Sequence, residues 1–132
     1  MADDVGKGLW VELVAADRTV WSGEASMVIA RTTEGDLGVL PGHAPLLSLL
    51  TEAAVEISEA EGVVHAAVDG GFLSVAGDRV SILTEHALLA EEIKIDEAKA
   101  ALEAAEGMPT GDERELHIRR AAARIRAAEK AG

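Results

Sequence analysis

Residues Thr32 to Leu47 read TTEGDLGVLPGHAPLL, an apolar and turn-rich segment within a strongly acidic chain. From Leu37 to Leu50 the sequence holds no Lys, Arg, Asp or Glu. Pro41 and Pro45 break any helix and remove two backbone donors, which excludes a membrane-spanning helix and an uninterrupted central strand. The segment therefore predicts a strand that enters a stiff loop. The leucines around that loop form either a β-corner of the core or a surface for a partner protein, and the sequence leaves both interpretations open.

Short runs of β-branched or alternating residues surround this segment up to about Thr84. These runs are LWVELV, ASMVIARTT, AAVEIS, VVHAAV, GFLSVA and RVSIL. Turn signals separate them, at Ser22-Gly23, Glu34-Gly35-Asp36, Glu61-Gly62, Asp69-Gly70-Gly71 and Gly77-Asp78. Many short strands with frequent turns are typical of an all-β sandwich or a flattened barrel.

Helix-forming residues dominate the chain after Ala87, where Ala, Glu, Lys and Arg replace the β-branched runs. The first predicted helix ends at Gly107 and Pro109, and its apolar stripe is formed by Ala98, Ala101, Leu102 and Ala105. The second begins with the capping-box spacing of Thr110 and Glu113. Its apolar face is formed by Ile118, Ala122 and Ile125. Two such helices with a short connection predict an antiparallel hairpin.

The expected fold class is therefore α+β, with an N-terminal β-sandwich or flattened barrel followed by a C-terminal antiparallel α-helical hairpin. We place the β-sandwich domain at residues 1–87 and the hairpin at residues 88–132. The seam of the hairpin is mostly alanine, and a buried methyl contributes only about 0.8 kcal/mol. A hairpin held this weakly either exchanges between two positions, as a regulatory element requires, or stays permanently docked.

Charge is distributed unevenly along the chain. The 12 Lys and Arg residues against 24 Asp and Glu give a formal net charge of -12, which disfavours nucleic acid and anionic lipid as partners. The only basic segment is 114–132, and we expect it to lie against acidic groups, either in the chain's own preceding segment, 89–113, or in a partner. The absence of Cys excludes a disulfide framework. The polar N-terminus MADDVGKG predicts neither export nor membrane insertion.

No catalytic or metal-binding constellation is recognisable in the sequence. The histidines lack any metal-ligand spacing; they are His43, His65, His86 and His117. There is no GxSxG motif and no convergent acid/base pair. VGKG at 5–8 lacks the first Gly and the Ser or Thr of a Walker A motif. We therefore predict a protein that is not an enzyme and that holds no metal and no obligatory cofactor.

Three segments of the chain together resemble one protein family. They are LWVELVAADRTVWSG at 9–23, GDLGVLPGHAPLL at 35–47 and VDGGFLSVAGDRVSIL at 68–83. In order and spacing they are similar to the epsilon subunit of the F-type ATP synthase, in the short form found in many bacteria. The resemblance implies a central-stalk subunit, peripheral to the cytoplasmic face of the bacterial cell membrane. Such a subunit couples proton flow through the c-ring to ATP synthesis.

The same resemblance implies partners and contact residues. The β domain would bind the gamma subunit and rest on the loops of the c-ring. The family's c-ring contact falls on Asp36, Leu37, Val39, Leu40, Pro41, Gly42 and His43. In relatives the hairpin can extend along gamma toward the catalytic beta and alpha subunits and block ATP hydrolysis. The candidates for this brake are the basic residues Arg119, Arg120, Arg124 and Arg126.

Regulatory ATP is a further implication of the resemblance. Many bacterial relatives hold ATP with an Ile/Leu-Asp-x-x-Arg-Ala motif at the start of the first helix and with arginines of the second. This chain reads EEIKIDEAKAALE, so alignment on Ile95-Asp96 puts Lys99 in place of the Arg. Alignment through Glu92-Ile93 puts Lys94 at the Asp and Glu97 at the Arg, and either register weakens phosphate binding. The candidate ATP residues are Asp96, Lys99, Arg119 and Arg120.

Two other classes of protein are alternatives to a stalk subunit. One is a free-standing ligand-binding β-sandwich that holds ATP or another anion at the Arg-bearing hairpin. The other is a small hydrolase, which requires a nucleophile or an acid/base group that the sequence does not display. Calorimetry of the isolated protein with MgATP tests the first class, and an ATP hydrolysis assay of the isolated chain tests the second.

Overall fold

The structure is a computed structural model that describes residues 8–131. The predictions made from the polar N-terminus MADDVGKG and from VGKG at 5–8 therefore fall almost entirely outside the described residues. The strands are β1 (Leu9–Ala15), β2 (Arg18–Ala25), β3 (Met27–Thr32), β4 (Gly35–Val39), β5 (Leu46–Glu59), β6 (Gly62–Ala76), β7 (Arg79–Leu83) and β8 (Ala87–Leu89). They form one sheet in the order β2-β1-β7-β6-β5-β3-β4, with β8 paired to β6. Strands β1 and β7 are parallel, and the other pairs are antiparallel.

The core lies between the two folded halves of this sheet. Alternate residues of β1 are buried, as the pleat of a strand with one core face requires. A single apolar cluster contains side chains from all eight strands, including Val20 of β2 and Val39 of β4. A flat sheet cannot bring the edge strands β2 and β4 into one cluster, so the sheet folds over on itself as a sandwich. The predicted all-β sandwich is therefore confirmed.

Two predicted turns are wrong, because the strands run through them. Ser22-Gly23 lies inside β2, and Asp69-Gly70-Gly71 lies inside the 15-residue strand β6. Glycine inside a strand often marks a close approach of two backbones rather than a turn. At Gly71 an added Cβ would lie 1.9 Å from the carbonyl oxygen of Leu83, and its φ is +112°. Only glycine therefore allows β7 to approach β6 here.

The helices follow β8 after a short 3-10 turn at Ala90–Glu92. Helix α1 spans Ile95–Glu106 and helix α2 spans Asp112–Ala131, which confirms two C-terminal helices and the α+β class. The predicted capping box is wrong: α2 begins at Asp112, so Thr110 lies outside the helix and the carbonyl of Gly111 accepts the first helical bond, from Glu115. Acidic residues in the first turn favour this start, because they interact with the positive end of the helix dipole.

Helix α2 covers the sheet, whereas α1 packs against α2. The buried side chains of α2 are Ala121, Ala123 and Ala127, and the last two form a small cluster with Ala67 of β6. In the predicted apolar face, Ile118 and Ile125 are half-buried and Ala122 is exposed, and Ile125 shares a groove with Leu102 of α1. Among residues 8–131, no helix combines the length and apolarity needed to cross a bilayer. The predicted domain boundary at 87/88 falls within β8 and stays a prediction.

Candidate functional site

The loop between β4 and β5 is built on a type II β-turn. Leu40 to His43 form the turn, in which the His43 amide donates to the Leu40 carbonyl at 3.1 Å. Pro41 supplies the fixed φ of the second position, and Gly42 supplies the φ of +86° that the third position requires. The Gly42 amide also donates to Oδ1 of Asp78, in the β6–β7 turn, at 2.7 Å. The loop is therefore attached to the sandwich and does not depend on a partner for its shape.

Most of the predicted c-ring residues in this loop are exposed to solvent. Leu40 is 56% exposed and Leu47, just beyond the loop, is 70% exposed, which is unusual for large apolar side chains. Pro41 and Gly42 are exposed as well, and His43 is half-buried with Nδ1 2.7 Å from the Ala44 carbonyl oxygen. Leu46 packs against the core, as the first interpretation predicts, whereas the partner surface at Leu40 and Leu47 stays a prediction.

The predicted c-ring residues on β4 differ from those in the loop. Val39 is 0% exposed and belongs to the core, so it offers no surface to a partner in this conformation. Leu37 is half-buried against the core, and Asp36 is exposed and accepts a 2.9 Å hydrogen bond from Nε of Arg31. The seven predicted residues therefore do not share one surface, because Val39 is buried whereas Asp36 and the residues of the turn are accessible.

An apolar row crosses three strands next to the loop. Leu49 of β5 pairs directly with Phe72 of β6, and Phe72 pairs directly with Leu83 of β7. All three side chains are about half exposed. Leu47 lies two residues from Leu49 and so on the same face of β5. Together Leu47, Leu49, Phe72 and Leu83 form the apolar row, which begins beside the exposed loop and crosses the sheet. Clusters of exposed large apolar side chains often mark protein interaction sites.

A second candidate site is the interface between α2 and the outward face of β5 and β6. Its ion pairs join the basic helix to the sheet: Nε of Arg119 lies 2.8 Å from Oε1 of Glu52, and Nζ of Lys130 lies 2.7 Å from Oε2 of Glu56. Arg120 and Arg124 both approach Oδ2 of Asp69. The carboxylates in these pairs belong to β5 and β6, so the prediction that the preceding segment 89–113 supplies them is wrong, and an acidic partner stays a prediction. Arg126 lines an adjacent cleft of about 610 Å³.

A clasp holds the connection between the sandwich and the helices. Nη1 and Nη2 of Arg18 donate to Oε2 and Oε1 of Glu92 at 2.9 and 2.8 Å. Glu92 also accepts from the Leu89 amide, and Arg18 also donates to the carbonyl of Ala87. The hydrogen bonds from Arg18 and then from Leu89 lower the pKa of Glu92, and the bond to Glu92 raises the pKa of Arg18. The 3-10 turn before α1 is therefore fixed to the β1–β2 turn.

The structure does not gather the candidate ATP residues around one cavity. Arg119 and Arg120 face carboxylates of the sheet, whereas Asp96 and Lys99 are exposed on α1. The cleft that Arg119 lines contains neither of these α1 residues. ATP binding stays a prediction, and calorimetry with MgATP tests it. Within residues 8–131, no group of His, Asp or Glu has the arrangement of a metal site.

Comparison with known proteins identifies the family. The family model described as "ATP synthase, Delta/Epsilon chain, beta-sandwich domain" matches residues 9–90. The ATP synthase epsilon chain of Streptomyces griseus is 54% identical over 120 residues, covering 90% of this chain and 94% of that protein. This chain belongs to the ATP synthase epsilon chain family. The epsilon chain of Thermobifida fusca is 50% identical over 130 residues, with 95% of each chain covered. Like these relatives, the chain is a non-catalytic subunit of the rotary complex.

Solved structures share the fold with this family member. A chain of the Euglena gracilis mitochondrial ATP synthase, in a structure of OSCP/F1/c-ring, matches with a TM-score of 0.77 at 24% identity. The match covers 96% of this chain and 82% of that one. A chain of the central stalk/c-ring of the Tetrahymena thermophila mitochondrial ATP synthase matches with a TM-score of 0.61 at 16% identity, covering 93% and 95%. Both likenesses support the arrangement of a sandwich followed by two helices.

Three features of this epsilon family member are not predicted from its sequence. They are the apolar row, the pairing of Asp69 with two arginines, and the Arg18–Glu92 clasp. Each joins residues that lie far apart along the chain, and no local pattern marks such a pair. One local feature could have pointed to the apolar row: Phe72 is the only Phe of the sequence, and it follows two glycines.

Proposed function

We propose that this subunit is part of the rotor of a bacterial, proton-translocating ATP synthase. It lies at the cytoplasmic face of the cell membrane and couples proton flow through the c-ring to ATP synthesis. The observation that carries the proposal is a stiff, uncharged loop presented by a rigid sandwich, in a chain that belongs to the epsilon family. A rotor subunit of this kind requires a rigid body with surfaces that bind its neighbours, and it requires no catalytic residue.

The loop of Leu40 to His43 is the proposed c-ring contact, together with Asp36 and Leu37. Its turn is already formed in the isolated chain, so that binding the ring orders few further residues. Replacement of Leu40 by Asp together with His43→Ala is expected to reduce co-purification with the ring while the sandwich stays folded. Val63→Asp is the matched control, because Val63 is also about half exposed but lies near the end of α2. Unchanged co-purification of the loop variant would exclude the loop from the interface.

The apolar row of Leu47, Leu49, Phe72 and Leu83 is the proposed contact with the gamma subunit. A stable interface has an apolar centre, and this row is the largest group of neighbouring exposed apolar side chains on the described sheet. Phe72→Ser is expected to weaken binding of purified gamma by at least ten-fold, measured by calorimetry or pull-down. Val63→Ser is the control, since Phe72 and Val63 are equally exposed. Equal losses in both variants would contradict the proposed contact.

The hairpin is the proposed brake on ATP hydrolysis, through Arg119, Arg120, Arg124 and Arg126. In the docked position three of these arginines are paired with carboxylates of the sheet. Contact with catalytic beta and alpha subunits therefore requires that α2 leave the sheet. Removal of residues 93–132 keeps β8 and Glu92 of the clasp, and we expect it to raise the ATPase rate of the assembled complex. An unaltered rate would show that the hairpin is no brake.

A further inference from the structure

The interface between α2 and the sheet contains little apolar area. Its small apolar cluster consists of Ala67, Ala123 and Ala127, with Ala54 and Ile93 packed against it. Each alanine buries a single methyl, so these contacts are weak individually. The polar contacts of this interface therefore contribute a large share of whatever holds α2 in place.

Three carboxylates on the outward face of β5 and β6 meet the basic side of α2. Glu52 pairs in register with Asp69, and Glu56 lies further along β5. The side chains of Glu52 and Glu56 are 15% and 24% exposed, and their partners Arg119 and Lys130 are 49% and 41% exposed. Ion pairs that are open to water on one side contribute little, because solvent competes for both charges.

Asp69 differs from the other two carboxylates. Its side chain is only 4% exposed, and its Oδ2 lies 3.6 Å from Nε of Arg120 and 3.5 Å from Nη2 of Arg124. These arginines are four residues apart on α2, so they project from the same face of the helix. One carboxylate thus compensates two guanidinium groups at once.

Among residues 8–131, Asp69 is the one carboxylate within ion-pair distance of Arg120. Nε of Arg120 is buried and has no hydrogen-bond partner among residues 8–131, so its charge is balanced by the nearby Asp69 carboxylate. The backbone holds Asp69 in position, because its amide donates to the carbonyl of His86 at 3.0 Å. Without the carboxylate, the buried Nε of Arg120 would lie beside no anion in the docked state, although the side chains of Arg120 and Arg124 as a whole are 35% and 33% exposed.

We propose that Asp69 is the latch that keeps the hairpin docked, by holding Arg120 and Arg124 against β6. The pairs Arg119–Glu52 and Lys130–Glu56 are accessory contacts at the edge of the interface. When α2 leaves the sheet, all three latch side chains return to water and regain their hydration. The latch is a property of the chain alone, so it is independent of whether the released hairpin inhibits the parent enzyme.

The test measures a distance within the full chain. The sequence contains no Cys, so Ala60→Cys and Ala131→Cys introduce two unique sites for spin labels. Ala60 lies in the β5–β6 turn, and Ala131 at the end of α2 lines a cavity with Glu59 and Val63, so docking gives a short distance. Asp69→Asn is expected to increase the ratio of long to short distances by roughly ten-fold or more. Glu85→Gln, an exposed acid of the β domain, is the matched control for the loss of one charge and should leave the ratio unchanged.

Two further variants keep the proposal falsifiable. The double variant Arg120→Gln, Arg124→Gln leaves β5 and β6 unaltered and should release α2 as Asp69→Asn does; if Asp69→Asn does not fold, this variant alone decides. The double variant Glu52→Gln, Glu56→Gln should release α2 less than Asp69→Asn. The latch is refuted if Asp69→Asn or the double arginine variant keeps the short distance, or if loss of the two accessory pairs releases α2 more strongly.

Discussion

The interior of the sandwich and the interface under α2 are packed by different kinds of side chain. Leu13, Ile57 and Leu73 are completely buried in the sandwich, where branched and long apolar side chains interdigitate. Under α2 the buried side chains are alanines bordered by carboxylate and guanidinium groups. Opening the sandwich would expose apolar side chains to water, and nothing would offset the lost free energy of burial. Separating α2 from the sheet would break ion pairs, but the separated charges would regain their hydration. The difference predicts that α2 separates from the sheet more easily than the sandwich unfolds.

The largest effect is expected where two backbones of the sandwich meet. In Gly71→Ala the added Cβ collides with the Leu83 carbonyl, so β6 and β7 must separate and we expect a loss of about 4 kcal/mol in unfolding free energy. Gly38→Ala is the control, because nothing lies within 4 Å of its added Cβ. Urea denaturation of both variants measures the difference. Similar stability of the two variants would show that β7 readily moves away from β6.

A core cavity should produce the next largest effect. Ile57 of β5 is 0% exposed, so Ile57→Ala is expected to lower the unfolding free energy of the sandwich by about 2 to 5 kcal/mol. Thermal melting of the variant, monitored by the β signal in circular dichroism, gives the change. If Ile57→Ala lowers the unfolding free energy equally in a chain truncated after Glu92, the core is independent of the hairpin. A clearly smaller loss in the truncated chain would show that the hairpin and the core stabilise each other.

Overpacking under α2 should affect docking and spare the sandwich. Ala127 is 0% exposed against β6, so Ala127→Leu is expected to weaken docking by about 1 to 3 kcal/mol. Amide hydrogen exchange should become faster in α2 and stay slow in β1 and β7. Ala104→Leu, at an exposed position of α1, is the control. Faster exchange in the core strands of Ala127→Leu would show that the two regions unfold together.

The smallest effect is expected at the Arg18–Glu92 clasp. Because the clasp lowers the folded-state pKa of Glu92 below its ordinary value of 4.5, its contribution is complete above that pH and is lost as the pH falls through the lowered pKa. In Glu92→Gln the part of the local stability that the clasp contributes, and that acid removes, should be absent. Hydrogen exchange of residues 87–92 between pH 6 and 3, corrected for the intrinsic exchange rate, compares the two chains. The same acid response in both would exclude Glu92 as its source.

Local patterns predicted the class of the fold but not how the elements connect. The alternating runs became strands and the Ala-rich tail became two helices, because periodicity reports which face is buried. Asp69-Gly70-Gly71 was mistaken for a turn, since glycines that permit a close strand approach look the same in sequence as glycines of a loop. The alanine face of α2 was missed because alanine is only weakly apolar and is common at exposed helix positions too.

The candidate sites were predictable only where a single segment forms them. The turn at Pro41 and Gly42 follows from local chemistry, since Pro presets one dihedral and Gly allows the other. Asp69 and Arg124 are 55 positions apart, and their pairing depends on how α2 lies across the sheet. An excess of basic residues at the C-terminus predicted an acidic counterpart, but no property of Glu52, Glu56 or Asp69 distinguished them from the other acidic residues.

The salt links under α2 would give a docked and a released hairpin different charge distributions at the same net charge. While α2 is docked, its cations cover carboxylates of the sheet and each masks the other. Release would uncover the carboxylates on the sheet and, on α2, the arginine and lysine side chains that pair with them. The formal charge of -12 stays the same in both forms, and anion-exchange chromatography at low salt should still retain them differently, because different charges face the solvent.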